Sequence, residues 1–252
     1  MSTPLVWYTN NYGDDLSAWL VTRLTGCAVR VPTEEDPIEY MAIGSILNHA
    51  TTRTIAWGTG IAWAADSIST PREIRAVRGP LTWRKVRACG HSCPTIWGDP
   101  ALLLPELLSC ELHRHDDVVL VPHHVDYHRV FSAYEGKPGI RVVDVRDPRG
   151  VSYITQAIVE GRCVYSSSLH GLIVAQAYGC RWDWVEFSPL VGGGGFKFLD
   201  HFAAMDLPWY SPHRWDALPS ADVVGHLSGR DPVVIPQGLC SALRQAAPWP
   251  IV

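Results

Sequence analysis

The stretch CVYSSSLHGLIVAQAYG, residues 163–179, decides how this chain is read. A short apolar run ends in three serines, and an apolar, helix-favouring segment closed by Gly179 follows. This is the pattern of a strand over 162–168 that turns directly into a helix over 169–179. The free backbone N–H groups at the start of such a helix attract anions, and serine hydroxyls add donors. His170 falls in the first turn, where an imidazole can serve as acid or base near neutral pH. Gly171 would let a ligand approach the backbone. Ser166, Ser167, Ser168, Leu169, His170 and Gly171 are therefore expected to form a binding segment with His170 as its catalytic member. The competing use of the same residues is plain helix capping, with His170 as a hydrogen-bonded core side chain.

Working outward, the same alternation recurs along the chain. Strands are expected over 5–9, 54–61, 73–79, 117–124, 140–147 and 182–187. Helices are expected over 15–26, 38–49, 81–90, 152–161 and 196–205. Strands alternating with helices predict parallel sheets in an α/β fold. The polar segment 105–116 (PELLSCELHRHD) is the expected linker, which gives an N-terminal Rossmann-like lobe over 1–112 and a C-terminal one over 113–252. The tail 207–252, rich in proline and tryptophan, could pack back on the first lobe. Two such lobes would face a cleft at the carboxyl ends of their strands.

Three further segments carry chemistry. In IRAVRGPLTWRKV, residues 74–86, Arg78 ends a strand just before Gly79 and Pro80 open a helix. A guanidinium there can bind a carboxylate or phosphate through two parallel bonds; the competing reading is an ion pair. In NNYGDD, residues 10–15, Asn11, Gly13 and Asp14 occupy a strand-to-helix turn, where they could bind sugar hydroxyls or merely cap the helix. No G-x-G-x-x-G fingerprint is present. In VPHHVDYH, residues 121–128, His123 stands at a strand exit and is expected to line the cleft. That segment and CGHSC, residues 89–93, both invite a metal reading, but no further ligands complete a four-ligand site, and no metal is expected.

Bulk properties narrow the classes. The chain has 252 residues, a net charge of −4 and an apolar share of 47%, which fits a globular protein and not one that binds nucleic acid through bulk charge. Seven cysteines at irregular spacing are expected to be reduced thiols of a cytoplasmic protein. The start, MSTPLVWYTNN, reads as a strand and turn and not as a leader. No apolar run approaches the roughly 18 residues of a membrane span. Eleven tryptophans are many for this length, and some could be sugar-stacking platforms.

In order along the chain, NYGDDL, IGSIL, WGTGI, VRGPLT, GDPALLLP, VPHHVD, SSSLHGLIVAQAYG and KFLDHF resemble the elements of the polysaccharide pyruvyl transferase family, most closely its bacterial exopolysaccharide branch. They span positions 11 to about 202. The resemblance implies two Rossmann-like lobes in a glycosyltransferase B-like arrangement. It implies phosphoenolpyruvate as donor, no cofactor, and a lipid-linked oligosaccharide acceptor met by peripheral contact at the cytoplasmic face of the inner membrane. It implies that Arg78 binds the donor and that His170 is the histidine of the family's Leu-His-Gly element. Many relatives carry arginine where this chain has Ser168; either other residues, with Lys197 a candidate, supply that charge, or the hydroxyls and the helix end carry more of the task. The rival readings are a nucleotide-sugar glycosyltransferase on the same fold and a non-catalytic carbohydrate-binding protein.

Overall fold

The computed structural model describes residues 2–8 and 11–251. The first half holds β1 (Thr3–Pro4), α1 (Tyr12–Thr25), β2 (Val29–Arg30), β3 (Glu39–Met41), β4 (Thr54–Trp57), β5 (Glu73–Ala76), α2 (Pro80–Ala88) and α3 (Leu104–Leu107). The second holds β6 (Val118–Val121), α4 (Tyr127–Tyr134), β7 (Ile140–Val142), α5 (Val151–Val159), β8 (Cys163–Ser166), α6 (Leu169–Ala177), β9 (Trp182–Glu186), α7 (Phe196–Ala204) and β10 (His213–Arg214). The short α8 (Ala221–Gly225) and α9 (Leu239–Ala246) follow. All strand pairs among these elements are parallel, and the fold is a Rossmann-like α/β arrangement.

Strand order places the crevices. The second sheet runs β7-β6-β8-β9-β10, so the chain steps from β6 to one side and then returns to the other. In an open parallel sheet the loops leaving the two strands at such a reversal diverge, and a ligand crevice opens at their carboxyl ends. Here that point lies between β6 and β8. The first half repeats the scheme. β1 pairs with β2 on one side, and the adjoining Leu5 and Val6 bridge to Tyr40 of β3 on the other, with Val6 N–H donating to the Tyr40 carbonyl at 2.8 Å. With β3, β4 and β5 adjacent in that order, the reversal falls between β1 and β3.

The local reasons are legible. β6 and β8 are buried at every position, as interior parallel strands are. α1 begins at Asn11, whose side chain accepts the Gly13 and Asp14 N–H groups, and ends at Gly26 in the left-handed conformation with φ 66°. α6 is buried around most of its circumference because it lies between the two halves, and the largest apolar cluster runs through it from Leu16 and Trp57 to Ile154 and Phe202. Further ties cross between the halves. The Tyr12 hydroxyl meets Thr155 Oγ1 at 2.7 Å, and Trp57 Nε1 donates to the Leu243 carbonyl of α9 at 2.8 Å.

Several elements differ from expectation. The helix expected over 38–49 is strand β3, a loop and one 3-10 turn over Leu47–His49. Tyr40 is held between Leu5 and Ile55, Glu39 accepts from Thr51 and Thr54, and Gly44 at φ 123° would break a helix. The strand expected over 140–147 stops at Val142, because Asp144 and Asp147 accept the N–H groups two residues on and turn the chain. The strand expected over 54–61 stops at Trp57, before Gly58 at φ 82°. Residues 9 and 10, part of the expected first strand and turn, lie outside the described residues.

Candidate functional site

The two strand-order reversals open onto one cavity of about 210 Å³. Asn11 and Asp14 enter it from the start of α1, and Gly44, Ser45 and Ile46 from the loop after β3. His123 and His124 enter from the exit of β6, Ser168, Leu169 and His170 from the start of α6, and Lys197 from the start of α7. No side chain caps α6, so its first backbone N–H groups are left for a ligand among the described residues.

His170 is the most constrained member. Its Nε2 is buried and stands 3.6 Å from Asp99 Oδ2, and neither atom has a hydrogen-bond partner among the described residues. Asp99 is wholly buried, and its other oxygen accepts the Ala101 N–H at 3.0 Å. Burial acts to raise the Asp99 carboxyl, but the neighbouring His170 and the Ala101 N–H outweigh it and hold Asp99 below its ordinary range. The anionic Asp99 thus lies on the Nε2 side of the ring, and the start of α1 lies on the Nδ1 side. Nδ1 occupies the space a side chain at position 13 would need: a Cβ on Gly13 would lie 1.9 Å from it. Behind the pair, His201 Nε2 meets Gln176 Oε1 at 2.7 Å, and burial pushes the His201 imidazole down to about 3.

Lys197 and the Asp14 carboxyl both line the cavity. Burial, with Arg78 nearby, brings the Lys197 ammonium down to about 8, and Asp14 partly opposes this. Lys197 therefore carries its charge at neutral pH and sheds it under mildly alkaline conditions. Burial and the charge of Lys197 push His123 down to about 3, so it is neutral and available as an uncharged hydrogen-bonding group. Burial also raises Asp14, although His170 and the Asn11 amide oppose the shift.

Of the residues expected from sequence, Asn11, Asp14, His123, Ser168, Leu169, His170 and Lys197 line the cavity. The others do not. Arg78 is fully buried behind the wall and is not free to grip a ligand. Its Nε and Nη2 pair with Asp200 at 3.1 and 3.0 Å, Nη2 also donates to the Ile61 carbonyl, and Nη1 donates to Ser45 Oγ at 2.7 Å. Arg78 thus reaches the cavity only through Ser45. Asp200 also accepts the Leu81 and Thr82 N–H groups, each at 2.9 Å, and so caps α2 from the other half of the chain. Gly79 lets it come close, since a Cβ there would sit 2.0 Å from the Asp200 carbonyl oxygen.

Two of the three serines are structural. Ser166 Oγ is spent on the Val121 and Ser168 carbonyls and the Ser168 N–H, and Ser167 Oγ accepts the His123 N–H at 2.8 Å. Gly171 serves packing and not ligand approach, because a Cβ there would meet Ser166 Oγ at 2.5 Å and Val121 at 2.9 Å. Gly13 likewise makes room for His170 and not for a ligand. Asp99, Ser45 and His124 were absent from the expected site. For Asp99 the signal was the Asp-Pro pair in GDPALLLP, which marks a helical start but says nothing of the second carboxylate oxygen.

Among the described residues, no group of three or more His, Cys, Asp or Glu side chains could hold a metal ion, and no helix is long and apolar enough to cross a membrane. No family model and no solved structure matches the chain. Two known proteins are similar to it. One is the uncharacterized protein L143 of Acanthamoeba polyphaga mimivirus, 28% identical over 208 residues that cover 78% of this chain and 71% of that one. The other is the succinoglycan biosynthesis protein ExoV of Rhizobium meliloti, 28% identical over 223 residues that cover 84% of this chain and 67% of that one.

Proposed function

We propose that the chain is a pyruvyl transferase that moves the enolpyruvyl group of phosphoenolpyruvate onto a sugar and closes it as a pyruvate ketal. The observation that carries this reading is a small cavity at an uncapped helix start, lined by Lys197 and by one histidine backed by a buried carboxylate. Phosphoenolpyruvate is a small molecule with two anionic groups, and Lys197 and the α6 N–H groups offer two places to hold them. At about 210 Å³ the cavity is below the roughly 300–1,000 Å³ of pockets for drug-sized ligands, which disfavours a nucleotide sugar. The similarity to a protein named for succinoglycan biosynthesis supports a role in exopolysaccharide assembly. On this reading the two halves, divided near residue 112, act as lobes of a glycosyltransferase B-like enzyme that needs no cofactor. The acceptor is a lipid-linked oligosaccharide met at the cytoplasmic face of the inner membrane.

The chemistry balances with one acid. His170, as imidazolium, gives a proton to the methylene carbon, which becomes a methyl group and leaves an oxocarbenium-like centre at C2. A sugar hydroxyl adds to C2, and its proton returns to the imidazole. The C2–O bond to phosphate breaks; a second hydroxyl of the same sugar then adds to C2, and its proton leaves with inorganic phosphate. Asp99 stabilises the imidazolium without touching substrate, and Ser168 and the neutral His123 position the donor. His170→Gln tests the role: kcat for phosphate release should fall about a hundredfold or more, with donor binding retained. Near-normal turnover in His170→Gln would remove His170 as the acid.

A further inference from the structure

A second cavity, of about 760 Å³, lies beside the first, on the other side of the opening turn of α7. Gly195 and Leu199 line the larger cavity and Lys197 the smaller, so the two are neighbours across one helical turn of about 5.4 Å pitch. Its walls come from both halves. Trp63, on the loop after β4, is 51% exposed, and the glycine run 192–195 lies against that loop. A Cβ on Gly192 would stand 3.1 Å from the Trp63 ring, and one on Gly193 2.7 Å from the Ala62 carbonyl oxygen. On the opposite side Trp184 is only 2% exposed and stacks on Phe198 with ring centroids 4.5 Å apart. Its Nε1 is buried with no hydrogen-bond partner among the described residues. At the rim, Glu186 and Arg214 form an ion pair at 3.6 Å, and burial raises the Glu186 carboxyl.

This chemistry selects one ligand class. An exposed indole face offers stacking to the C–H face of a sugar ring. A paired carboxylate and guanidinium can accept from and donate to its hydroxyls. The opposite charges cancel, so the cavity favours a neutral polyhydroxylated ligand over an anion. We propose that this cavity binds neutral sugar units of a glycan, with one ring stacked on Trp63 and its hydroxyls at the Glu186–Arg214 pair. Resting on the pyruvyl-transfer reading, it is the acceptor subsite, and it feeds the adjoining sugar to the donor cavity across the first turn of α7.

The test separates sugar binding from the reaction. The whole protein, labelled with 15N, is titrated with cellobiose and with lactose at roughly millimolar concentrations while the indole N–H resonances are followed. Saturable shifts of Trp63 and Trp184 are expected with at least one disaccharide. Affinity should fall about tenfold or more in Trp63→Ala, the change 1.4 kcal/mol represents. Phosphoenolpyruvate affinity should stay within about twofold in Trp63→Ala, a change of under 1 kcal/mol. Still indoles with both sugars, or full affinity in Trp63→Ala, would overturn the proposal. Donor turnover with still indoles defeats this inference alone; shifting indoles in a protein that never binds phosphoenolpyruvate defeats the pyruvyl-transfer reading and leaves the sugar site standing.

Discussion

Gly13→Ala sets two effects against each other at one position. Gly13 lies in the first turn of α1, where alanine favours the helix over glycine by up to about 1 kcal/mol. On helix propensity alone the variant should be as stable as the parent or slightly more so. The new Cβ, however, would lie 1.9 Å from His170 Nδ1 and 2.6 Å from Cε1, where ordinary contact begins at 3.4 Å, so something must yield by about 1.5 Å. The start of α1 is the stiffer side. Asn11 holds the Gly13 and Asp14 N–H groups, the Tyr12 N–H is bonded to the Val145 carbonyl at 2.6 Å, and the Tyr12 hydroxyl to Thr155. On its far side the imidazole meets Asp99 at 3.6 Å, with no hydrogen bond to Nε2 among the described residues, so the ring is what moves. A misplacement of about 1 Å costs on the order of a hundredfold in rate. Steady-state phosphate release from phosphoenolpyruvate at saturating acceptor should therefore show kcat down about a hundredfold. Thermal unfolding should shift by no more than about 4 °C, the equivalent of 1 kcal/mol in a chain of this size. A kcat within twofold of the parent would refute the claim that the placement of His170 matters. A fall in Tm of more than about 10 °C, several kcal/mol on the same scale, would show that the backbone and not the ring absorbed the contact.

Three other outcomes are expected. Asp99→Asn keeps the shape but removes the charge behind His170; kcat should drop by up to about a hundredfold with donor KM little changed, and an unchanged kcat pH profile would count against a link between Asp99 and His170. Arg78→Ala strands the buried Asp200 carboxylate, which costs about 3–5 kcal/mol and lowers Tm by roughly 6–20 °C; a donor-KM defect at unchanged Tm would mean that Arg78 faces the ligand after all. Lys197 has its affinity lowered to about 8 by burial, so it is half charged at pH 8, and a bound anion would restore the charge. Donor binding at that pH should take up roughly half a proton, and affinity should weaken by up to about tenfold per pH unit above it. Calorimetry in buffers of different ionisation heat reads the uptake, which Lys197→Met should abolish.

Much of the second half could be read from sequence because its strands and helices carry their own signals. The helices expected over 152–161, 169–179 and 196–205 are α5, α6 and α7 to within two residues; Gly161 and Gly179 mark the ends of the first two. The segment 38–49 misled because its apolar spacing suits a helix, while the pairing of Tyr40 on both sides is set by residues far away in sequence. The same division runs through the site. That Asp14, His123, Ser168 and His170 line one cavity was legible because they stand at strand exits and helix starts, and the fold class fixes where such positions face. The placement of Arg78 was not, because its partner Asp200 is 122 residues on, and a strand-end arginine looks the same whether it meets a ligand or a distant aspartate. Asp99 was hidden for a similar reason: its capping bond to Ala101 is local, and its approach to His170 is not.

The central claim is the reaction itself, and phosphoenolpyruvate labelled with 13C at C2 tests it most directly. Incubated with the protein and a lipid-linked oligosaccharide acceptor, the label should leave the vinyl region of the carbon spectrum and appear as a ketal carbon, with inorganic phosphate released in equal amount. An unchanged vinyl signal, with nucleotide released instead when a nucleotide sugar is supplied to the same mixture, would contradict the account.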